Sequence, residues 1–263
     1  MTRPDGGKTS HRQFELLEVL RRQGGSARNA DIAQAMDVSE ETVRRLVKTL
    51  ADDGKVERLH GGTVLAGVEP GFYQRIAQNP DGKKRIATTV AREITDGMCI
   101  FLDVGTTTTF VAEALRAHHR LYVVTNSMPV AQTLAHHNDN RVVLTGGDVG
   151  HDERGTYGPL AEEVLRRHAF DVAILSANAL NDRHGFLVFN PAEAAISRVA
   201  VEQAHRPIVT ADHEKFGRRA PQVSCDPADI DLLVTDRAPP ARLAEALKGW
   251  GVSVRIAKEV TVK

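Results

Sequence analysis

Apolar residues recur at helical spacing three times in the first fifty positions, and each recurrence predicts a short helix. Phe14, Leu17 and Leu20 precede Gly24-Gly25, while Ala30, Ile32, Ala33 and Met36 follow Asn29, a candidate N-cap. In the third, Val43, Leu46, Val47 and Leu50 share one stripe, and Glu41, Arg44, Arg45 and Lys48 occupy the opposite face. Ser39 is placed to cap this helix, Glu40 and Glu41 sit where the helix dipole favours anions, and Gly54 ends it. Spacing alone fits a solvated amphipathic helix equally well. The order adds information: two short helices, a tight turn at Asp37-Val38 and a basic-faced helix give a helix-turn-helix, whose second helix enters the major groove. The following run, Lys55 to Leu65, reads as two alternating segments about Gly61-Gly62, a β-hairpin wing with Arg58 and His60 able to reach phosphates. Ser39, Thr42, Arg44, Arg45, Lys48, Arg58 and His60 are therefore the candidate contacts to double-stranded DNA.

From Val68 to Gly82 the periodicity is lost and Pro70, Gly71, Pro80 and Gly82 intervene, so residues 67–79 read as a linker after a winged unit at 8–66. The second domain, 80–263, has a different pattern. Short runs apolar on both faces recur at Cys99–Leu102, Leu121–Val124, Val142–Leu144, Val172–Leu175, Ile208–Val209, Leu232–Val234 and Val252–Ile256. Helical patterns separate most of them: Phe110–Ala117, Val130–His136, Leu160–Arg167 and Ala192–Ala204. This alternation predicts an α/β domain with a mostly parallel sheet covered by helices.

In such a sheet the carboxyl ends of the strands share an edge, and the turns that follow them here are polar or glycine-rich. They are Asp103 to Thr109 with Gly105, then Thr125-Asn126-Ser127, Thr145-Gly146-Gly147-Asp148, Ser176-Ala177-Asn178, Thr210-Ala211-Asp212 leading to Lys215, and Thr235-Asp236. Gly105 lets the backbone approach a ligand, and Thr106, Thr107 and Thr108 present hydroxyls and amides at a helix start, which favours an anion such as a phosphate. Each turn has a plainer reading: the threonines cap a helix, Gly146-Gly147 is an ordinary turn, and Lys215 is a solvated lysine. Their shared edge is the argument for one small-molecule site.

Composition narrows the choice. With 34 Lys plus Arg against 34 Asp plus Glu there is no global basic field, so DNA binding must rest on a local patch. Cys99 and Cys225 lack metal-ligand spacing and read as buried thiols of a reducing cytoplasm. The pairs His118-His119 and His136-His137 point about 100° apart on a helix and cannot readily share an ion. No metal or cofactor is expected, nor any membrane span.

These residues resemble the DeoR family of bacterial sugar-metabolism repressors. The family's V-S-x-x-T-[IV]-R-R pattern and later H-G-G are met by Val38-Ser39, Thr42-Val43-Arg44-Arg45 and His60-Gly61-Gly62. Its sensor domain, related to ribose-5-phosphate isomerases, is met by Asp103, Gly105-Thr106-Thr107, Thr125-Asn126-Ser127, Gly146-Gly147, Gly158, Asp212 and Lys215-Phe216-Gly217. The resemblance implies a repressor released from its operator by an anionic sugar metabolite, a sugar phosphate in most members, and the cysteine usage with the lack of a membrane span adds the expectation that it is cytoplasmic. A homodimer or homotetramer is expected from the small recognition surface. The chain departs from the pattern at Leu46, where the family has Asp, at Asn178 within its G-A-D-G-I-like stretch, and at Ser197, where a Lys is common. Two other functions stay open at this level: a sugar-phosphate isomerase or related transferase, for which no general base is evident, and a protein-interaction module.

Overall fold

A computed structural model describes residues 10–23, 25–59, 61–68, 70–150 and 154–258. Its contacts divide the chain into two units, one ending at Gly71 and the other beginning at Phe72.

The first unit runs α1 (His11–Arg22), β1 (Ser26–Arg28), α2 (Asn29–Met36), α3 (Glu40–Asp52), β2 (Val56–Leu59) and β3 (Gly62–Leu65). Leu16, Leu20, Ile32, Met36, Val43, Val47 and Leu50 form its core, so the apolar stripes of all three helices meet. Leu46 packs against this core from a half-buried position, which accounts for an apolar residue at that point of the recognition pattern. The turn after α2 is made by Asp37 in the left-handed conformation (φ 51°), and Gly54 (φ 67°) follows the end of α3. Asn29 does not cap α2: it is the first helical residue, and its Oδ1 accepts from Thr63 Oγ1 at 2.9 Å, tying the helix to β3. The expected hairpin of β2 and β3 is joined by β1 in a three-stranded antiparallel sheet.

The second unit opens with α4 (Phe72–Ile76), so a helix with buried Phe72 and Arg75 stands within the stretch expected to be linker. Then come α5 (Pro80–Ala91), β4 (Cys99–Leu102), α6 (Thr106–Leu115), β5 (Tyr122–Thr125), α7 (Met128–Leu134) and β6 (Arg141–Leu144). After a small hairpin of β7 (Asp148–Val149) and β8 (Thr156–Tyr157) follow α8 (Pro159–Arg166) and β9 (Phe170–Ser176). The chain continues through β10 (Ala179–Asn181), β11 (Gly185–Val188), α9 (Pro191–Glu202), β12 (Ala204–Thr210), β13 (Gln222–Val223), β14 (Leu232–Thr235), α10 (Ala241–Gly249) and β15 (Ser253–Ile256).

Seven strands form one parallel sheet in the order β15-β14-β12-β9-β4-β5-β6, and each overlaps one of the seven apolar runs of the sequence, with β5 and β15 starting one residue after their runs. Alternate residues face opposite sides. Phe101, Val124, Ala173, Leu175, Val209 and Leu233 fill one core, whereas Ile100, Leu102, Val123, Ile174, Ile208 and Val234 fill the other. The inner strands β4, β5, β9, β12 and β14 are covered on both faces, which is why they read as continuous apolar runs, whereas the edge strand β6 is only partly buried and the edge strand β15 is exposed throughout. Among the described residues no helix is long and apolar enough to cross a membrane.

Candidate functional site

In the first unit Ser39 Oγ accepts from the backbone amide of Thr42 at 3.2 Å and lies 3.0 Å from Thr42 Oγ1, fixing the start of α3. Arg44, Arg45 and Lys48 are all exposed along one face of that helix, as the sequence pattern requires. The two arginines differ in surroundings. Arg44 is paired with Glu40 and Glu41, each at 3.3 Å, whereas Arg45 has no ion pair among the described residues. Arg58, exposed on β2, borders a concave surface with Arg44, Asn29 and Gly62, so helix and wing present their cations together. His60 lies outside the described residues.

In the second unit the turns after β4, β5, β9, β12 and β14 stand at the carboxyl edge of the sheet. Asp103 is buried, with Oδ1 accepting from the amide of Val104 at 2.8 Å and Oδ2 from that of Ser176 at 3.4 Å. Asn126 Oδ1 accepts from the same Val104 amide at 2.8 Å, joining the β4 and β5 turns. Its Nδ2 is buried with no hydrogen-bond partner among the described residues. Thr125 Oγ1 donates to Leu102 O at 2.6 Å, and Ser127 caps α7, so these two hydroxyls shape the edge.

Gly105 precedes α6 and no side chain caps that helix. Instead Thr108 and Thr109 turn their hydroxyls back to Gly105 O, at 3.0 and 2.7 Å. The first amides of α6 therefore lack both intrahelical and side-chain acceptors, the condition for an anion site. A Cβ on Gly105 would lie 2.8 Å from both Cβ and Oγ of Ser176. Glycine here lets the β4 turn pack against the β9 turn. Gly147 has a different reason: its Cβ would meet Tyr157 O at 2.3 Å, so it serves the approach of β8.

A small pocket of about 10 Å3 is lined by Arg75, Asp103, Ser176, Asn178 and Glu193 among others. Asn178 Oδ1 accepts from the Phe189 amide at 3.3 Å. Glu193, buried on α9, supplies a carboxylate that the sequence reading did not assign. Ser197, one turn later on the same helix, is buried, and its hydroxyl has no hydrogen-bond partner among the described residues. Arg75 was also missed, because the segment carrying it reads as linker.

Next to this, Lys83 on α5 is almost fully buried, its Nζ donating to the carbonyls of Arg75 and, at 2.7 Å, of Gln78. Burial lowers its pKa to about 8; Asp212 opposes the shift, and Lys215 and Arg75 add to it. Asp212 is buried and caps the turn at His213–Lys215 by accepting from Glu214 N at 3.0 Å. His213 donates its backbone amide to Asp236 Oδ1 at 2.7 Å, and its Nδ1 stands 2.8 Å from Oδ2, which also accepts from Asn79 at 3.0 Å. Burial alone would raise the pKa of Asp236, but the bonds from Asn79 and His213 outweigh it and hold the carboxyl below its ordinary value. Among the described residues no group of three or more His, Cys, Asp or Glu is placed to hold a metal.

Comparison with known proteins follows the same division. Residues 12–67 match the DeoR-like helix-turn-helix domain and residues 78–237 the DeoR C terminal sensor domain. The glycerol-3-phosphate regulon repressor of Escherichia coli (strain K12) is 31% identical over 251 residues, 95% of this chain and 99% of that protein. The HTH-type transcriptional regulator GlpR of Haloferax volcanii is 33% identical, covering 93% of this chain and 96% of its own length. The HTH-type transcriptional repressor CsqR of Escherichia coli (strain K12) is 31% identical, with 95% and 97% covered.

Proposed function

Because this chain belongs to the DeoR family of transcriptional regulators, we propose that its sensor unit takes up a phosphorylated or otherwise anionic sugar metabolite and thereby releases operator DNA. The protein is a DNA-binding repressor and not an enzyme, and the isomerase alternative is not favoured even though Glu193 provides the carboxylate it lacked. The uncapped start of α6 beside Gly105 carries the effector reading, since it offers backbone donors to an anion at the sheet edge where Arg75, Lys83 and Lys215 gather. Asp103, Asn178 and Glu193 are the acceptors available to sugar hydroxyls, with Asn126 Nδ2 as a further donor. One relative is named for glycerol 3-phosphate, which supports a phosphate ester as the class. Because Asn178 and Ser197 depart from the family pattern, the sugar end of the ligand is where this member would differ.

A protein of this kind works by linkage: an effector that prefers the DNA-incompetent state lowers DNA affinity by the ratio of its affinities for the two states. We place the protein in the cytoplasm, acting as a homodimer or homotetramer on paired half-sites. A thermal-shift screen of phosphorylated sugars against their unphosphorylated parents tests the effector class. A rise in melting temperature confined to phosphorylated compounds is expected, and a response to neutral sugars alone would overturn it.

A further inference from the structure

Away from the crevice, the sensor unit holds a second concentration of positive charge. Between α5 and the edge strand β15 lies a pocket of about 220 Å3 bordered by Arg85, Arg92, Arg255 and Lys258, with Thr88 and Thr89 on its helical wall. Two carboxylates stand near these cations, and both are shared. Glu93 is bonded to Arg206 at 2.8 Å as well as to Arg255, and Asp236 is 3.9 Å from Arg85 while already holding His213 and Asn79. Neither carboxylate lines the pocket. The threonine hydroxyls donate within their own helix, to Lys84 O and Arg85 O, so the donors facing the pocket are the guanidinium and ammonium groups. Arg92, Arg255 and Lys258 are exposed, and every residue of β15 is open to solvent.

Like charges crowded about a concavity repel one another unless an anion joins them, and guanidinium forks match the oxygens of phosphate. We infer that this pocket binds a small phosphate-bearing anion, either free phosphate or a phosphate monoester, at a site separate from the effector crevice. A concave pocket of this size suits a single phosphate group with a short body. Arg85 gives it a physical connection to the crevice, because the anion and Asp236 compete for the same guanidinium.

The test uses the full-length protein at low ionic strength, titrated calorimetrically with inorganic phosphate. The crevice is disabled by Gly105→Val and, independently, by Lys215→Ala, so that a folding defect in either does not decide the outcome. Arg92→Ala with Lys258→Ala removes two exposed cations of the pocket. Phosphate binding is expected to persist in both crevice variants and to weaken about tenfold or more when Arg92 and Lys258 are also removed, the size of a lost charge-assisted hydrogen bond. Loss of all phosphate binding in both crevice variants, or binding there that is indifferent to Arg92 and Lys258, would overturn the inference. Repeating the titration with glycerol phosphate separates the sources: tighter binding than free phosphate assigns a metabolite, and equal or weaker binding assigns phosphate itself.

Discussion

Arg44 and Arg45 are neighbours on α3 but enter DNA binding from different states. Arg44 must exchange its pairs with Glu40 and Glu41 for DNA, and such exposed pairs are worth about 0.2–1 kcal/mol each. Arg45 has no such partner to give up. Replacing Arg45 by Ala is therefore expected to cost on the order of 1–3 kcal/mol of operator affinity and relax base preference, with a smaller loss for Arg44→Ala. Fluorescence anisotropy against a selected operator and its single-base variants checks this, and equal losses would show that the ion pairs are irrelevant. Lys83 supports a second expectation. Its pKa falls from 10.5 to about 8 on folding, so between those values the unfolded chain holds more protons and stability rises with pH. Relative to Lys83→Met, the wild type should gain roughly 3 kcal/mol across that window. Urea midpoints that track each other at every pH would refute it. Lys83, Arg75 and Glu193 were illegible because charged residues are almost always solvated, and only tertiary burial marks these three as different.

At the scale of elements, the five inner strands of the large sheet were readable because two-sided burial leaves an unbroken apolar signal, and the edge strands β6 and β15 by their short apolar runs, while β1, β7, β8, β10 and β13, two or three residues each, are too short to carry a period. Helix α5 was hidden for another reason. Pro80 and Gly82 read as breakers, yet Pro80 occupies the first turn and Asn79 caps the amide of Gly82 at 3.2 Å, so the breakers are start signals. The β4 turn offers the sharpest test of how elements make the site. A side chain on Gly105 would press on Ser176, and such overpacking typically costs about 1–3 kcal/mol. Gly105→Val should lower the melting temperature and remove the effector response while leaving operator binding intact, since α3 belongs to the other unit. Ser176→Gly should restore part of the stability by vacating the contact. Full effector response in the Gly105→Val protein would place the anion elsewhere.

For the whole molecule, the division at Gly71 separates a unit that reads DNA from one that senses a metabolite, so regulation has to appear as a coupling free energy between them. Thermodynamic linkage makes that coupling reciprocal. If saturating effector weakens operator affinity by some factor, saturating operator must weaken effector affinity by the same factor, typically 5–150-fold or about 1–3 kcal/mol. Both halves are measurable: operator affinity by anisotropy with and without effector, and effector affinity by calorimetry with and without operator. Equal factors are expected in wild type, and both should shrink together toward one in Gly105→Val to the extent that effector binding is lost. An effector that loosens DNA while its own affinity ignores DNA would exclude a shared equilibrium and point instead to competition by ionic strength, which a matched-salt control with an inert phosphate ester would expose.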